Sequence, residues 1–168
     1  MTLDYFRTFA RYNQWANRRL YAACAQLPDE EYRKARPAFF KSILGALNHL
    51  LVGDRIWLGR IDGRDSGITA LNQILYVVFS ELCRAREAED ERLISIVDGL
   101  TEQRVASTLA YRQIVSPGGE QRTPMRFVLG HLFNHQTHHR GQVHDLLTQT
   151  AVPPPPLDLI LYLREAGK

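Results

Sequence analysis

Five of the six histidines fall between His131 and His144, in the run His131-Leu132-Phe133-Asn134-His135-Gln136-Thr137-His138-His139-Arg140-Gly141-Gln142 and the residues just after it. His131, His135 and His139 recur every fourth residue, so on a helix they form one line with neighbouring Cβ atoms ~5–6 Å apart. Two imidazoles at that spacing can reach one divalent ion. At neutral pH an ordinary imidazole, with a pKa of ~6.5, has its lone pair free to bind. A third ligand must come from a facing helix, and the histidine outside the cluster is His49. One histidine plus a His-x3-His pair leaves part of the ion uncovered, as in sites that react or bind a ligand rather than brace a fold. Spacing leaves the pair open between His131/His135 and His135/His139. Asp54, five residues after His49, reads either as an orienting group for such a site or as the internal partner of an arginine or Asn13. No HExxH arrangement supplies a carboxylate base, so a thermolysin-like protease is not supported.

Four long periodic segments must carry these residues. The first opens at Thr2, an N-cap with Asp4 in the first turn, and shows Phe6, Phe9, Asn13, Ala16, Leu20, Ala23 and Leu27 in steps of three and four, the seam of a bundle helix. The second begins at Ser42, runs to about Arg60 and stops at Gly63, with His49 on its apolar side. The third has Ser80 as its cap, carries Leu82, Leu93, Ile96 and Leu100, and presents Arg84, Arg86, Glu87 and Glu91 as a charged outer face. Thr108 to Val115 reads as a short extended piece and Ser116-Pro117-Gly118-Gly119 as a turn. Thr123 followed by Pro124 marks the start of the fourth helix, which runs to about Thr150. Pro153 to Pro156 cannot continue it, and Leu157 to Leu163 form an apolar segment expected to dock on the bundle. The expected fold is an all-α four-helix bundle. Its second-to-third and third-to-fourth connections are long enough for at least one crossover.

Composition narrows the function classes. With 45% apolar and 23% charged residues, the chain can bury a core and is not intrinsically disordered. Residues 1–168 read as one domain. The net charge is +3, and the basic residues are scattered rather than gathered in a stripe, so no nucleic-acid partner is expected. No apolar run reaches the ~18 residues of a membrane span. Met1-Thr2-Leu3-Asp4 lacks a basic-then-apolar signal segment, so the expected compartment is the cytoplasm. Cys24 and Cys83 lie far apart without thiol-ligand spacing and read as small buried hydrophobes.

The segments Tyr12 to Asn17, Leu47 to Leu58 and, above all, His131 to Gln142 resemble the DinB/YfiT-like family. This is the damage-inducible family of metal-dependent enzymes, not the DNA polymerase that shares the name. The resemblance spans nearly the whole chain, including Leu157-Asp158 after the prolines. It implies a four-helix bundle that holds a divalent metal ion, nickel or zinc, through His49, His135 and His139, with His131 and His138 packed around them. It also implies a homodimer and a small-molecule substrate, since characterised relatives include transferases that use bacillithiol, mycothiol or glutathione and a mycothiol-dependent isomerase. The expected function is thus a metal-dependent transferase acting on a low-molecular-weight thiol. The alternatives are a metal-dependent hydrolase and a non-catalytic metal-binding stress-response module whose bundle serves association. No residue in the sequence identifies the substrate.

Overall fold

The computed structural model describes residues 2–114 and 118–167. Among the described residues, seven helices and two short strands follow one another as α1 (Leu3–Cys24), α2 (Asp29–Arg33), α3 (Ile43–Asp62), α4 (Phe79–Asp98), α5 (Glu102–Ala106), β1 (Thr108–Tyr111), β2 (Gln121–Pro124), α6 (Met125–Leu147) and α7 (Leu159–Glu165). The four long helices form the bundle: α1 and α3 each pack on both α4 and α6. Their starts obey the capping rules where a short polar side chain is present. Thr2 accepts from the Tyr5 amide and Ser42 from the Gly45 amide, while Gly63 ends α3 at φ 76°, where a Cβ would be strained. Among the described residues no helix is long and apolar enough to cross a membrane.

The order of buried residues along each helix fixes its direction. One apolar cluster holds Phe6, Leu58, Leu93 and Leu129, and a second holds Leu20, Leu47, Leu82 and Val143. Helices α1 and α6 run from the first cluster to the second, whereas α3 and α4 run from the second to the first. Neighbours α3 and α4 are therefore parallel. Their connection, residues 63–78, has to travel back along the bundle, and it is the expected crossover. On its way it passes His49. Asn48, fully buried, clasps it there with three hydrogen bonds: Oδ1 accepts from the Leu75 and Tyr76 amides and Nδ2 donates to the Tyr76 carbonyl, while its other N–H is taken by the Leu44 carbonyl of its own helix.

Between the apolar clusters lies a buried polar layer to which all four helices contribute: Asn13 and Asn17, Asp54, Arg86 and Asp90, Gln136 and Arg140. Arg86 is 2% exposed and sits 2.7 Å from Asp54 and 3.0 Å from Asp90, so it belongs to the interior and not to the charged outer face expected of α4. These contacts are close but poorly directed for hydrogen bonding, and act as ion pairs. The spacing Leu82, Arg86, Glu89, Leu93 is itself a bundle seam, with charges in two of its positions. Asn13 and Asn17 donate to Asp90 at 3.2 and 2.9 Å, and Arg140 donates to Asn13. Asp54 accepts from Gln136 and pairs with Arg86, the internal arginine contact expected for it rather than an orienting role at the histidines.

Several boundaries differ from expectation, among them the end of α6, which falls at Leu147 rather than about Thr150. Helix α1 ends at Cys24 and α4 begins at Phe79 with no side-chain cap, ahead of Ser80. Helix α6 begins at Met125, one step later than Thr123-Pro124 suggests, because those two residues pair in β2 with Leu109 and Thr108 of β1. The Met125 amide is then taken by the Ser107 carbonyl at 2.8 Å. Of the turn expected at Ser116-Pro117-Gly118-Gly119, the first two residues lie outside the described residues. The C-terminal segment docks as expected: Tyr162 of α7 packs on Tyr12 and Ala16, and the Tyr12 hydroxyl donates to the Leu157 carbonyl at 2.7 Å.

Candidate metal centre

Helices α3 and α6 bring His49, His135 and His139 together. The Nε2 atom of His49 lies 3.2 Å from Nε2 of His135 and 3.1 Å from Nε2 of His139. One ligand atom from each of the three falls within 4.8 Å of the others. Nitrogens bound at ~2.0–2.1 Å to one tetrahedral ion stand about 3.3 Å apart, so the spacing is that of a ligand set. Of the two pairs left open by spacing, it is His135/His139 that joins His49. His131 stands one turn back, its ring 5.0 Å edge-on from Trp57. His138 flanks His139 at 4.7 Å between ring centres, and His144 reaches the Pro155 carbonyl at 3.1 Å, fastening the proline run.

Outer contacts settle which nitrogens are bare. A carbonyl oxygen only accepts, so the 2.8 Å contact from His49 Nδ1 to the Leu71 carbonyl places the proton on Nδ1 and leaves the Nε2 lone pair facing the centre. His139 Nδ1 meets Gln142 Oε1 at 2.8 Å, while the amide nitrogen of Gln142 faces His138 Nε2 at 3.3 Å, so His139 likewise turns a bare Nε2 inward. Two lone pairs 3.1 Å apart repel unless a cation lies between them. A proton is a poor candidate, because burial foremost, and the surrounding rings after it, push His135 down to about 3. Burial likewise takes His139 to about 4 against the opposing Gln142 bond, and burial lowers His49 against the Leu71 bond. The donor set therefore fits a divalent metal ion that prefers nitrogen, and outer partners of this kind are what orient metal-binding imidazoles.

Residues outside the histidine pattern shape the pocket. Phe40 stacks on His49 with ring centres 3.9 Å apart and meets His139 edge-on at 5.4 Å, bracing both imidazoles. Gly53, one turn after His49, makes room for His135: a Cβ there would stand 2.5 Å from Cε1 and 3.1 Å from Nδ1 of that ring. The His135 Nδ1 is buried with no partner among the described residues. Gly53→Ala should leave α3 intact or firmer, since alanine favours a helix by ~1 kcal/mol over glycine, yet displace the His135 ring. Metal affinity is expected to fall about 10- to 100-fold, in the range of a lost outer partner. Calorimetric titration with zinc measures this, and an affinity equal to wild type would show that the ring does not need the gap. Of these positions, Gln142 carried a legible signal, standing at i+3 from His139. Leu71 and Phe40 carried none.

Two cavities open on the centre. The larger, about 1100 Å³, is bordered by Phe39, Phe40, Lys41, Ile74 and all three histidines, and the smaller, about 340 Å³, runs over Gly53, Trp57, Arg60, Tyr111 and His131. His49, His135, Leu71 and Ile114 border both. Neither is lined by an aspartate or glutamate among the described residues. The two thiols offer no reactive group: burial pushes Cys24 up to about 12 and Cys83 up to about 11, and neither borders the two cavities at the centre.

The family model described as the DinB family matches residues 1–168. Protein DinB of Bacillus subtilis (strain 168) is 28% identical over 168 residues, covering 95% of this chain and 94% of that protein. The crystal structure of a DinB-like protein from Bacillus cereus ATCC 10987 has a TM-score of 0.64 at 17% identity. It covers 88% of this chain and 94% of its own, a likeness of fold.

Proposed function

The chain belongs to the DinB family, and from that premise we propose that it is a metal-dependent transferase that joins a low-molecular-weight thiol to a small electrophile. His49, His135 and His139 would hold the ion, nickel or zinc, both of which accept imidazole nitrogen. When bound, a divalent ion lowers the pKa of a coordinating thiol and keeps it as thiolate at neutral pH. The chain's own residues do the rest. Leu71 and Gln142 orient the imidazoles, Phe40 and the apolar walls exclude water, and the larger cavity offers room for the electrophile. In the transfer the thiol proton passes to solvent, the sulfur lone pair forms the new bond to carbon, and the leaving group departs with the electron pair of the bond it breaks.

The observation that carries this reading is the placement of the convergent nitrogens where two cavities meet, one for each reactant, with His49 and His135 bordering both and His139 the larger. It favours an enzyme over a non-catalytic module, which needs no ligand-sized space beside its ion. The lack of a lining carboxylate favours thiol transfer over hydrolysis, which calls for a general base near the attacking water. Zinc- or nickel-loaded protein incubated with glutathione, bacillithiol or mycothiol and an electrophile such as chlorodinitrobenzene is expected to form the S-conjugate, followed by mass spectrometry. The His139→Ala variant should form none above the uncatalysed rate. Conjugate formation at equal rates in the two proteins, or none with any of these thiols, would reject the transferase; ester hydrolysis lost in that variant would put a hydrolase in its place.

A further inference from the structure

The smaller cavity is a trough along α3. His49, Gly53, Trp57 and Arg60 follow at steps of four, four and three, so they share one helix face, and the glycine keeps the floor low between the imidazole and the far end. At that end the Arg60 guanidinium lies over two aromatic rings at once, 4.4 Å from the centre of Trp57 and 4.6 Å from that of Tyr111, which meet each other edge-on with centres 5.2 Å apart. One of its nitrogens donates to the Arg112 carbonyl at 2.8 Å. No carboxylate among the described residues is paired with it. Burial lowers its pKa, and the influence opposing this is Tyr111, not an acid. Most other arginines of the chain that are held in place here have an acidic partner, such as Arg11 with Asp98, Arg36 with Glu31 and Arg92 with Asp62. Arg60 is instead pre-set by stacking, with the remaining donors of its planar fork free to face a ligand.

We propose that Arg60, held against Trp57 and Tyr111, binds a carboxylate at the far end of the same ligand whose sulfur lies at the three imidazoles. Eleven residues of α3 separate His49 from Arg60, roughly 16 Å of helix at ~1.5 Å per residue. Arg60 leans back over Trp57, so the ligand spans somewhat less than that. The substrate class is thus an elongated thiol with a carboxylate remote from its sulfur, and a bare short thiol such as ethanethiol does not reach. Charge agrees with this along the whole cleft: Lys41 borders the larger cavity, Arg60 the smaller, and no acid lines either among the described residues. The inference rests on the thiol reading for the sulfur end only.

The test uses full-length zinc-loaded protein and four probes: mercaptooctanoate, mercaptooctanol, octanoate and octanol. Binding is followed by calorimetry and by the NMR signal of the Trp57 indole N–H. Each carboxylate is expected to bind at least about tenfold tighter than its alcohol, the effect of a charge-assisted contact, and to shift the Trp57 signal. Arg60→Gln should bring each pair within about twofold, and Arg60→Lys should keep part of the preference, since the charge remains and the fork is lost. Circular dichroism checks that both variants stay helical, and Tyr111→Leu, which removes one of the two rings that seat Arg60, should also weaken the preference. A carboxylate preference that survives Arg60→Gln, or that is erased by Lys41→Gln instead, overturns the proposal. Octanoate against octanol, repeated on metal-free protein so that no zinc can take the carboxylate, tests Arg60 without any sulfur. If the mercapto compounds bind no tighter than their sulfur-free counterparts, the thiol reading fails while the Arg60 result stands or falls on its own.

Discussion

His135→Ala is expected to weaken divalent-metal binding at least about 100-fold, beyond the ~10–100-fold typical of lost outer partners, and to leave no stoichiometric ion after purification without a polyhistidine tag. Two of the three nitrogens would remain, but on facing helices and without the ring at 3.2 Å from His49 that closes the set. Elemental analysis and competition with a chromogenic chelator measure the effect; an undiminished metal content in the variant would remove His135 from the centre. The same substitution reports on the metal-free protein. Burial and the neighbouring rings depress His135 to about 3, while in the unfolded chain an imidazole titrates near ~6.5. Below that value the unfolded state binds the proton that the native state refuses. Stability is therefore lost as the pH falls from about 6.5 toward 3, and His139, at about 4, acts in the same sense. For His135 the slope is at most ~1.4 kcal/mol per pH unit, nearer ~1 after allowance for its partial exposure. Urea unfolding of metal-free protein at pH 7 and pH 5 should show this loss, and His135→Ala should flatten it. An unchanged slope would mean that the ring titrates freely in the folded protein.

Arg86→Met is expected to cost ~3–5 kcal/mol, since it strands Asp54 and Asp90 in the interior without their shared cation. That is a large share of the ~5–15 kcal/mol that holds an ordinary domain folded. Burial already raises Asp90 above the ordinary carboxylate value, with Arg86 pulling the other way. Without the guanidinium, one of the carboxylates has to take up a proton or water has to enter the layer. Adding Asp54→Asn to Arg86→Met should recover part of the loss by removing one uncompensated charge. Urea denaturation measures each variant, and a cost below ~1 kcal/mol for the single substitution would show that the layer is already hydrated.

The helical frame was legible because local rules decide it. Thr2, Ser42 and Gly63 mark their boundaries with side chains or a left-handed turn that need no distant partner. The His-x3-His pair is also local, and the single outlying histidine on an apolar face pointed across the bundle. What escaped depends on contacts far apart in sequence. Arg86 looks like surface charge until Asp54, thirty-two residues earlier, is placed opposite it. Of the hairpin, β1 lies within the extended piece expected from Thr108, whereas β2 went unread because Thr123-Pro124 also reads as a helix start and its pairing with β1 is what makes it a strand. The carbonyl that fixes His49 belongs to Leu71, a residue whose type says nothing of that role, since the group used is the backbone.

The Asn48 clasp has a consequence for how the centre responds to its surroundings. The segment it grips supplies the oxygen that sets the tautomer of the adjacent imidazole, so the order of that segment and the readiness of the nitrogen rise and fall together. By reciprocity, an ion that favours the bare Nε2 also stiffens residues 71–76, and a molecule that pries this stretch loose weakens the hold on the ion by the same free energy.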